Sequence, residues 1–198
     1  MNGHDQDYAF YKGKTVLITG GAGAIGCNLT RALSELDVKR VIVLDDLSSA
    51  EIWNVPNEKN VMFIEGSILD EKELKRVFNE KPAVVFHLAA LFANQKSLDY
   101  PEEDLMVNGM GILRTLQYAS MAGVSRFVYS SSGCSIYGSK GKLPLTEDQL
   151  SIYHTTPYQI TKMLGELYGN FFWHQYGLPI VKARFFNSYG PGEIPGQY

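Results

Sequence analysis

The sequence predicts an α/β protein built on an open, doubly wound parallel sheet. Three observations predict it. Short β-branched, apolar runs alternate with longer stretches of helical period from Lys14 to the C-terminus. The short runs are apolar almost throughout, as strands covered on both faces are. A glycine-rich turn, Gly20 to Gly26, stands between the first strand and the first helix.

The elements follow in order. Residues 1–13 read as a loose leader, polar and aromatic and without the apolar core of an export signal. Thr15–Thr19 is the first strand. Ala24–Leu36 is the first helix, with Ile25, Leu29, Ala32, Leu33 and Leu36 spaced to face the sheet. Arg40–Asp45 and Val61–Glu65 are the second and third strands, Glu71–Asn79 a short helix, and Ala83–His87 the fourth strand. Pro101–Met121 opens with Pro and two Glu in its first turn and closes before Gly123, the start and stop chemistry of a helix. Arg126–Ser130 is the fifth strand. Thr156-Pro157-Tyr158-Gln159 supplies an N-cap Thr, Pro at the first helical position and Gln three residues after the cap, for a helix running to about Gln175. Ile180–Arg184 is the sixth strand. Parallel strands in this number need right-handed helical crossovers. Gly138–Pro144 and Gly190–Gly196 read as loops, and no internal repeat is visible. Because the chain stops inside the second loop, residues 14–198 read as one domain of a longer polypeptide continuing past Tyr198.

Composition sets the class. The 198 residues suit about one domain at roughly 150 residues each. With 45% hydrophobic and 20% charged residues the chain is of ordinary globular type. A formal charge of -3 with interspersed signs offers no footprint for nucleic acid or an anionic membrane. The longest apolar runs, such as Val41 to Leu44, are strand-sized and too short to span a bilayer. Cys27 and Cys134 lie far apart without metal-ligand spacing, so neither a disulfide framework nor structural zinc is expected, and a reducing cytoplasm is the expected setting. His4, His87, His154 and His174 show no ligand spacing either; His87 reads as a packing and hydrogen-bonding residue.

The glycine turn carries the first chemistry. Gly20 permits the tight turn, Gly23 lets the backbone approach a pyrophosphate, and Gly26 lets helix and strand pack closely. The helix that follows offers free N–H groups and the positive end of its dipole. Asp45 stands 19 residues past Gly26, close to the ~20-residue offset at which an acid meets the adenosine ribose hydroxyls. No Arg follows it nearby, so NAD is expected over NADP. The turn and the acid together predict a dinucleotide site in a Rossmann-type fold.

Further motifs stand in order: His87-Leu88-Ala89-Ala90, Asn108 with Gly111, Tyr129-Ser130-Ser131-Ser132, Tyr137-Gly138, Tyr158-Gln159-Ile160-Thr161-Lys162, and Arg184-Phe185-Phe186-Asn187-Ser188-Tyr189-Gly190-Pro191-Gly192. With the glycine turn and Leu44-Asp45-Asp46-Leu47, they resemble the extended short-chain dehydrogenase/reductases that act on nucleotide-sugars, the NAD-dependent epimerase/dehydratase family. The resemblance covers Lys14 to Tyr198. It implies that Gly20, Gly23, Ala24, Ile25, Gly26, Asp45, Ser67, Ile68, Leu88, Ala89, Ala90, Asn108, Tyr158 and Lys162 hold NAD. Ser132, Tyr158 and Asn187 would meet the nucleotide-sugar, Asn187 at its diphosphate. The full-length protein would be a homodimer with a C-terminal substrate lobe that this chain lacks.

Ser132, Tyr158 and Lys162 match the family's catalytic set. On a helix Tyr158 and Lys162 share a face. An ammonium about 4 Å from the phenol is worth about 4 kcal/mol at an effective dielectric near 20, roughly three units off a pKa near 10. Tyr158 is therefore expected to titrate near neutral pH, where a general base works best. For the hydroxyl, counting forward from Phe127 selects Ser132 and counting back from Tyr137 selects Gly133, so the loop carries one extra residue. The family's 4,6-dehydratases have an Asp-Glu pair and its decarboxylases a Glu where this chain has Gly133, Cys134 and Ser135. Ser67 stands where the family commonly has an Asp facing the adenine. The expectation is a nucleotide-sugar 4-epimerase working through a 4-keto intermediate. A 4-keto-sugar reductase or dehydratase on the same scaffold is the near alternative, and a non-catalytic NAD-binding module the distant one.

Overall fold

The computed structural model describes residues 8–92, 94–138 and 142–193. Most of the expected leader, residues 1–7, and parts of both glycine-proline loops lie outside them. Six strands form one parallel sheet in the order β3-β2-β1-β4-β5-β6. They are β1 (Thr15–Thr19), β2 (Arg40–Asp45), β3 (Val61–Glu65), β4 (Val84–His87), β5 (Arg126–Ser132) and β6 (Ile180–Phe185). The order reverses between β1 and β4, and a crevice opens at their carboxyl ends.

Helices cover both faces, and the strands divide their side chains between them with period two. Leu17, Ile42 and Leu44 join Leu74, Ile112, Leu116, Phe127 and Phe172 in one core. Val16, Ile18, Val41 and Val43 join Leu33 and Val84 in the other. Each of these buried side chains contributes roughly 2 kcal/mol of hydrophobic transfer. Tyr11 packs against the second core, and the N–H of Gly13 donates to Asp37 O at 2.7 Å, so the described end of the leader is tied down rather than loose. Burial on both faces holds for β1 and β2, whereas β5 alternates and the edge strand β6 is only partly covered.

The helices are α1 (Ala24–Ser34), α2 (Glu71–Asn79), α3 (Asn94–Asp99), α4 (Pro101–Asp104), α5 (Gly111–Met121), α6 (Gly133–Tyr137) and α7 (Pro157–Tyr176). The single helix expected over Pro101–Met121 is interrupted: a π-helical segment, Leu105–Met110, joins α4 to α5. At α7 the cap is as expected, Thr156 Oγ1 accepting from Gln159 N at 3.3 Å. The return bond differs, since Gln159 Oε1 accepts from Thr155 N at 2.8 Å rather than from the cap residue. Helices α3 and α6 were not expected. Strands β5 and β6 run longer than expected because Ser131 pairs with Arg184 and Ser132 with Phe185. Among the described residues no helix is long and apolar enough to cross a membrane.

Candidate active site

The turn between β1 and α1 is shaped by three different demands on glycine. Gly20 has φ +71°, and a Cβ there would lie 2.5 Å from Ala89 N, so it also lets the loop after β4 approach. At Gly26 a Cβ would fall 2.2 Å from Gly20 O, so the close packing is against the turn's own backbone. At Gly23 a Cβ would have only Gly20 O within reach, at 3.5 Å. The protein leaves that place open on the cavity side, a cradle that a side chain would fill. Asp45 Oδ2 accepts from Ala22 N and Oδ1 from Leu47 N, both at 2.9 Å, fixing the carboxylate at the end of β2. Burial raises its pKa, with those backbone bonds pulling the other way.

The loop after β4 is held by Asn108. Its Oδ1 accepts from Leu91 N at 2.8 Å, and its Nδ2 donates to Leu91 O at 3.0 Å. Thus Asn108 shapes the loop that carries Leu88, Ala89 and Ala90, and does not itself line the cavity. Ser67 does not line it either; its hydroxyl accepts from Leu69 N at 3.2 Å and closes a turn. The loop after β6 crosses to the glycine turn, where Asn28 Nδ2 donates to Pro191 O at 2.7 Å and Asn54 Nδ2 to Gly192 O at 3.2 Å.

These segments enclose a cavity of about 680 Å³ at the sheet's switch point. Gly20, Gly23, Ala24, Ile25, Gly26, Asp45, Ile68, Leu88, Ala89, Ala90, Ser132, Tyr158, Lys162 and Asn187 all line it. The sequence reading missed Phe92, Asn94, Cys134, Ser135 and Gln159, which also line it. Cys134 and Ser135 sit in the unexpected α6. Gln159 was visible only as a capping residue, and no signal marked Phe92. Ser132 ends β5 and caps α6, accepting from Ser135 N at 3.3 Å. At Gly133 a Cβ would meet the Phe186 ring at 2.6 Å, so that residue is a packing glycine. Of the two positions the count allowed, Ser132 alone brings a hydroxyl to the cavity.

Helix α3 supports the start of α7, as Tyr158 N donates to Ser97 Oγ at 3.2 Å. Phe92 meets the Tyr158 ring edge to face at 5.9 Å. The Lys162 ammonium lies 5.5 Å from the centroid of Tyr158 and donates to Ser130 O at 2.9 Å. The expected lowering of the Tyr158 pKa is not found. Burial raises it above the ordinary tyrosine value, with Asp104 and Cys134 acting in the same direction. Lys162 is pushed down to about 8 by burial, against the pull of Asp104. Desolvation outweighs the attraction between the two groups because Lys162 is only 4% and Tyr158 9% exposed. His87 is a buried structural residue as expected, its Nδ1 2.9 Å from Thr19 Oγ1.

The open cradle at Gly23, the N-terminus of α1 and the fixed Asp45 carboxylate fit a dinucleotide: amides for a pyrophosphate and an acceptor for ribose hydroxyls. Tyr158, Lys162 and Ser132 also line the cavity, side chains whose groups are able to move a proton at a hydroxyl.

Comparison with known proteins agrees with this geometry. The model of the family described as NAD dependent epimerase/dehydratase family matches residues 16–197. An epimerase structure from Methanothermobacter thermautotrophicus superposes with a TM-score of 0.95 at 57% identity, over 98% of this chain and 57% of that one. The UDP-glucose 4-epimerase of Mycolicibacterium smegmatis is 36% identical over 182 residues, 90% of this chain and 58% of the relative. The UDP-glucose 4-epimerase of Thermus thermophilus, solved in complex with NAD, gives a TM-score of 0.85 at 34% identity, over 91% of this chain and 58% of that one. The chain thus spans less than two thirds of the length of these relatives.

Proposed function

The chain belongs to the NAD-dependent epimerase/dehydratase family, and on that premise we propose that it is the NAD-binding part of a nucleotide-sugar 4-epimerase. One observation carries the reading: Ser132, Tyr158 and Lys162 open into the same cavity as the glycine turn and Asp45, while Gly133, Cys134 and Ser135 bring no carboxylate there. Without such an acid, elimination of water from the sugar lacks its proton donor, which separates this reading from dehydratase chemistry.

NAD held by the glycine turn and Asp45 would supply a reversible hydride acceptor for the sugar's C4. The phenol oxygen of Tyr158 takes the 4-hydroxyl proton and gives it back. Lys162 supplies the positive charge beside that phenolate, and Ser132 holds the sugar oxygen by its hydroxyl. Asn187, beyond β6, binds the diphosphate. Asp45 accepts the ribose hydroxyls.

The test is an assay of the full-length protein against UDP-glucose, UDP-N-acetylglucosamine and their 4-epimers. Interconversion without net NADH release is expected, and Tyr158→Phe should abolish it. Elimination of water, or stoichiometric NADH, overturns the epimerase reading. NAD binding with no turnover of any member would leave the binding module.

The same reading makes the protein a homodimer. Met106 and Met110 stand one turn apart on the π segment beside α7, which exposes Ile160, Leu167 and Phe171 at helical spacing. A second copy burying this face is expected, with Met110→Glu giving a monomer by sedimentation.

A further inference from the structure

Asp104 is a fully buried carboxylate that the chemistry above does not use. It is the last residue of α4, where the helix passes into its π segment. Asn108 Nδ2 donates to its Oδ1 at 2.7 Å, and Thr161 Oγ1 donates to its Oδ2 at 2.7 Å. Asn108 also bonds both backbone groups of Leu91, in the loop that walls the cofactor side of the cavity. Thr161 lies between Tyr158 and Lys162 on α7. A single carboxylate therefore joins the loop after β4 to the helix that carries both proton-transfer residues.

Burying a carboxylate is costly unless its charge has partners, and an apolar side chain would fill the place more cheaply. The charged and titratable groups around Lys162 identify the partner. From β4 comes His87, which stays neutral down to about 3 because it is buried and lies near Lys162. From β5 comes Tyr129, its ring 5.5 Å from the ammonium and its own ionisation pushed up by burial. On α7 stand Tyr158 and Glu166, and the Glu166 carboxylate is already held by Arg184 and Ser131. Asp104 forms no direct ion pair with Lys162, but its charge raises the pKa of both Lys162 and Tyr158; burial raises its own, against the bonds from Thr161 and Asn108 and the pull of Lys162.

We propose that Asp104 is a positioning residue of the proton-transfer site: its carboxylate fixes the Tyr158–Lys162 face of α7 against the loop after β4 and is the buried countercharge of the Lys162 ammonium. The proposal rests on Tyr158 and Lys162 being the proton-transfer pair. Its consequence has a definite sign. A negative charge beside the pair makes both protons harder to remove, so deleting it lowers both apparent midpoints together.

The test is an NMR titration of the Lys162 side chain in the 198-residue protein and in Asp104→Asn, which keeps an oxygen for Thr161 and loses the charge. The midpoint, about 8 with Asp104 in place, should fall by about one unit, a tenfold change in the protonation equilibrium. An unchanged midpoint in the folded variant overturns the proposal. Coupling is reciprocal, so in Lys162→Met the Asp104 carboxyl midpoint, read by carbon chemical shift, should rise by the same amount. This second variant decides the matter if Asp104→Asn does not fold, and an unmoved Asp104 midpoint overturns the proposal. In an active longer protein, Asp104→Asn should slide both limbs of the kcat–pH profile toward acid. Lower kcat with unmoved limbs means a merely structural role. The function fails separately: if Tyr158→Phe retains activity the epimerase mechanism falls, while the Lys162 and Asp104 titrations still measure their coupling.

Discussion

Gly23 caps α1 and Gly26 lies within its first turn, three residues on, yet the room for a methyl group differs between them. At Gly26 it would strike the backbone of Gly20 and Gly21, which has no room to yield. Gly26→Ala is therefore expected to lower stability by about 1–3 kcal/mol, read as a shift in the urea midpoint. At Gly23 the protein leaves space, and the backbone is extended, with φ −67° and ψ 171°. Gly23→Val should keep the parent's stability and lose NAD by calorimetry; retained affinity would mean that no pyrophosphate lies on this turn. Asp45→Ala should narrow the preference for NAD over NADP, and equal binding of both by the parent would remove Asp45's role. His87 adds a pH signature. Its folded pKa of about 3 lies below an unfolded value near 6.5, so the unfolded chain binds the extra proton and stability falls as pH drops through that interval. His87→Leu should flatten that part of the curve. Gly20, Gly23 and Asp45 were legible from their spacing after the first strand, and Tyr158 and Lys162 from the family resemblance that gives their i, i+4 pair a context. The direction of the Tyr158 shift was not, since its burial comes from residues brought in from distant strands and helices.

Helix α7 and strand β6 are joined by an ion pair that no local pattern announces. Arg184 grips Glu166 with Nε and Nη2, both at 2.9 Å, and Glu166 also accepts from Ser131 Oγ at 2.6 Å. The Glu166 and Arg184 side chains are 4% and 15% exposed. Arg184→Met would leave a buried carboxylate unpaired, at a cost of about 3–5 kcal/mol in unfolding free energy. Replacing both partners, Glu166→Met with Arg184→Met, should recover most of that loss, and an additive double variant would refute the pairing. Burial raises the Glu166 pKa, but the bonds from Arg184 and Ser131 outweigh it and hold the carboxyl below its ordinary range. Its stabilising contribution is present above that range and is lost as pH falls through the lowered value. Elements with a strong local signature were legible: the capped start of α7, the apolar β1 and β2, and the acidic first turn of α4. The polar α3 buries only Ser97 and shows no apolar stripe. The π segment leaves the apolar period of its helix almost unchanged, and α6 lies in a serine-rich stretch that reads as the end of a strand. These three depend on tertiary contacts.

At the scale of the molecule, the parallel sheet builds its cavity where the strand order turns, and the described chain walls that cavity from the glycine turn to Asn187. The sugar's position is a separate matter from the cofactor's. On the proposed reading, turnover would require C4 against the nicotinamide and the 4-hydroxyl at Tyr158, and contacts remote from the reacting atoms hold a substrate in such a pose. The curated and structural relatives carry over two fifths of their length beyond the part matched here. The 198-residue protein is therefore expected to bind NAD while turning over UDP-glucose at least about tenfold more slowly than the Mycolicibacterium smegmatis epimerase, a deficit of ~1.4 kcal/mol or more in the barrier. Stopped assays with equal NAD loading would measure it. Turnover matching the relative would place the whole substrate site between the glycine turn and Asn187; in that event Tyr158→Phe should still remove the activity, because the proposed proton-transfer pair lies within this chain in either case.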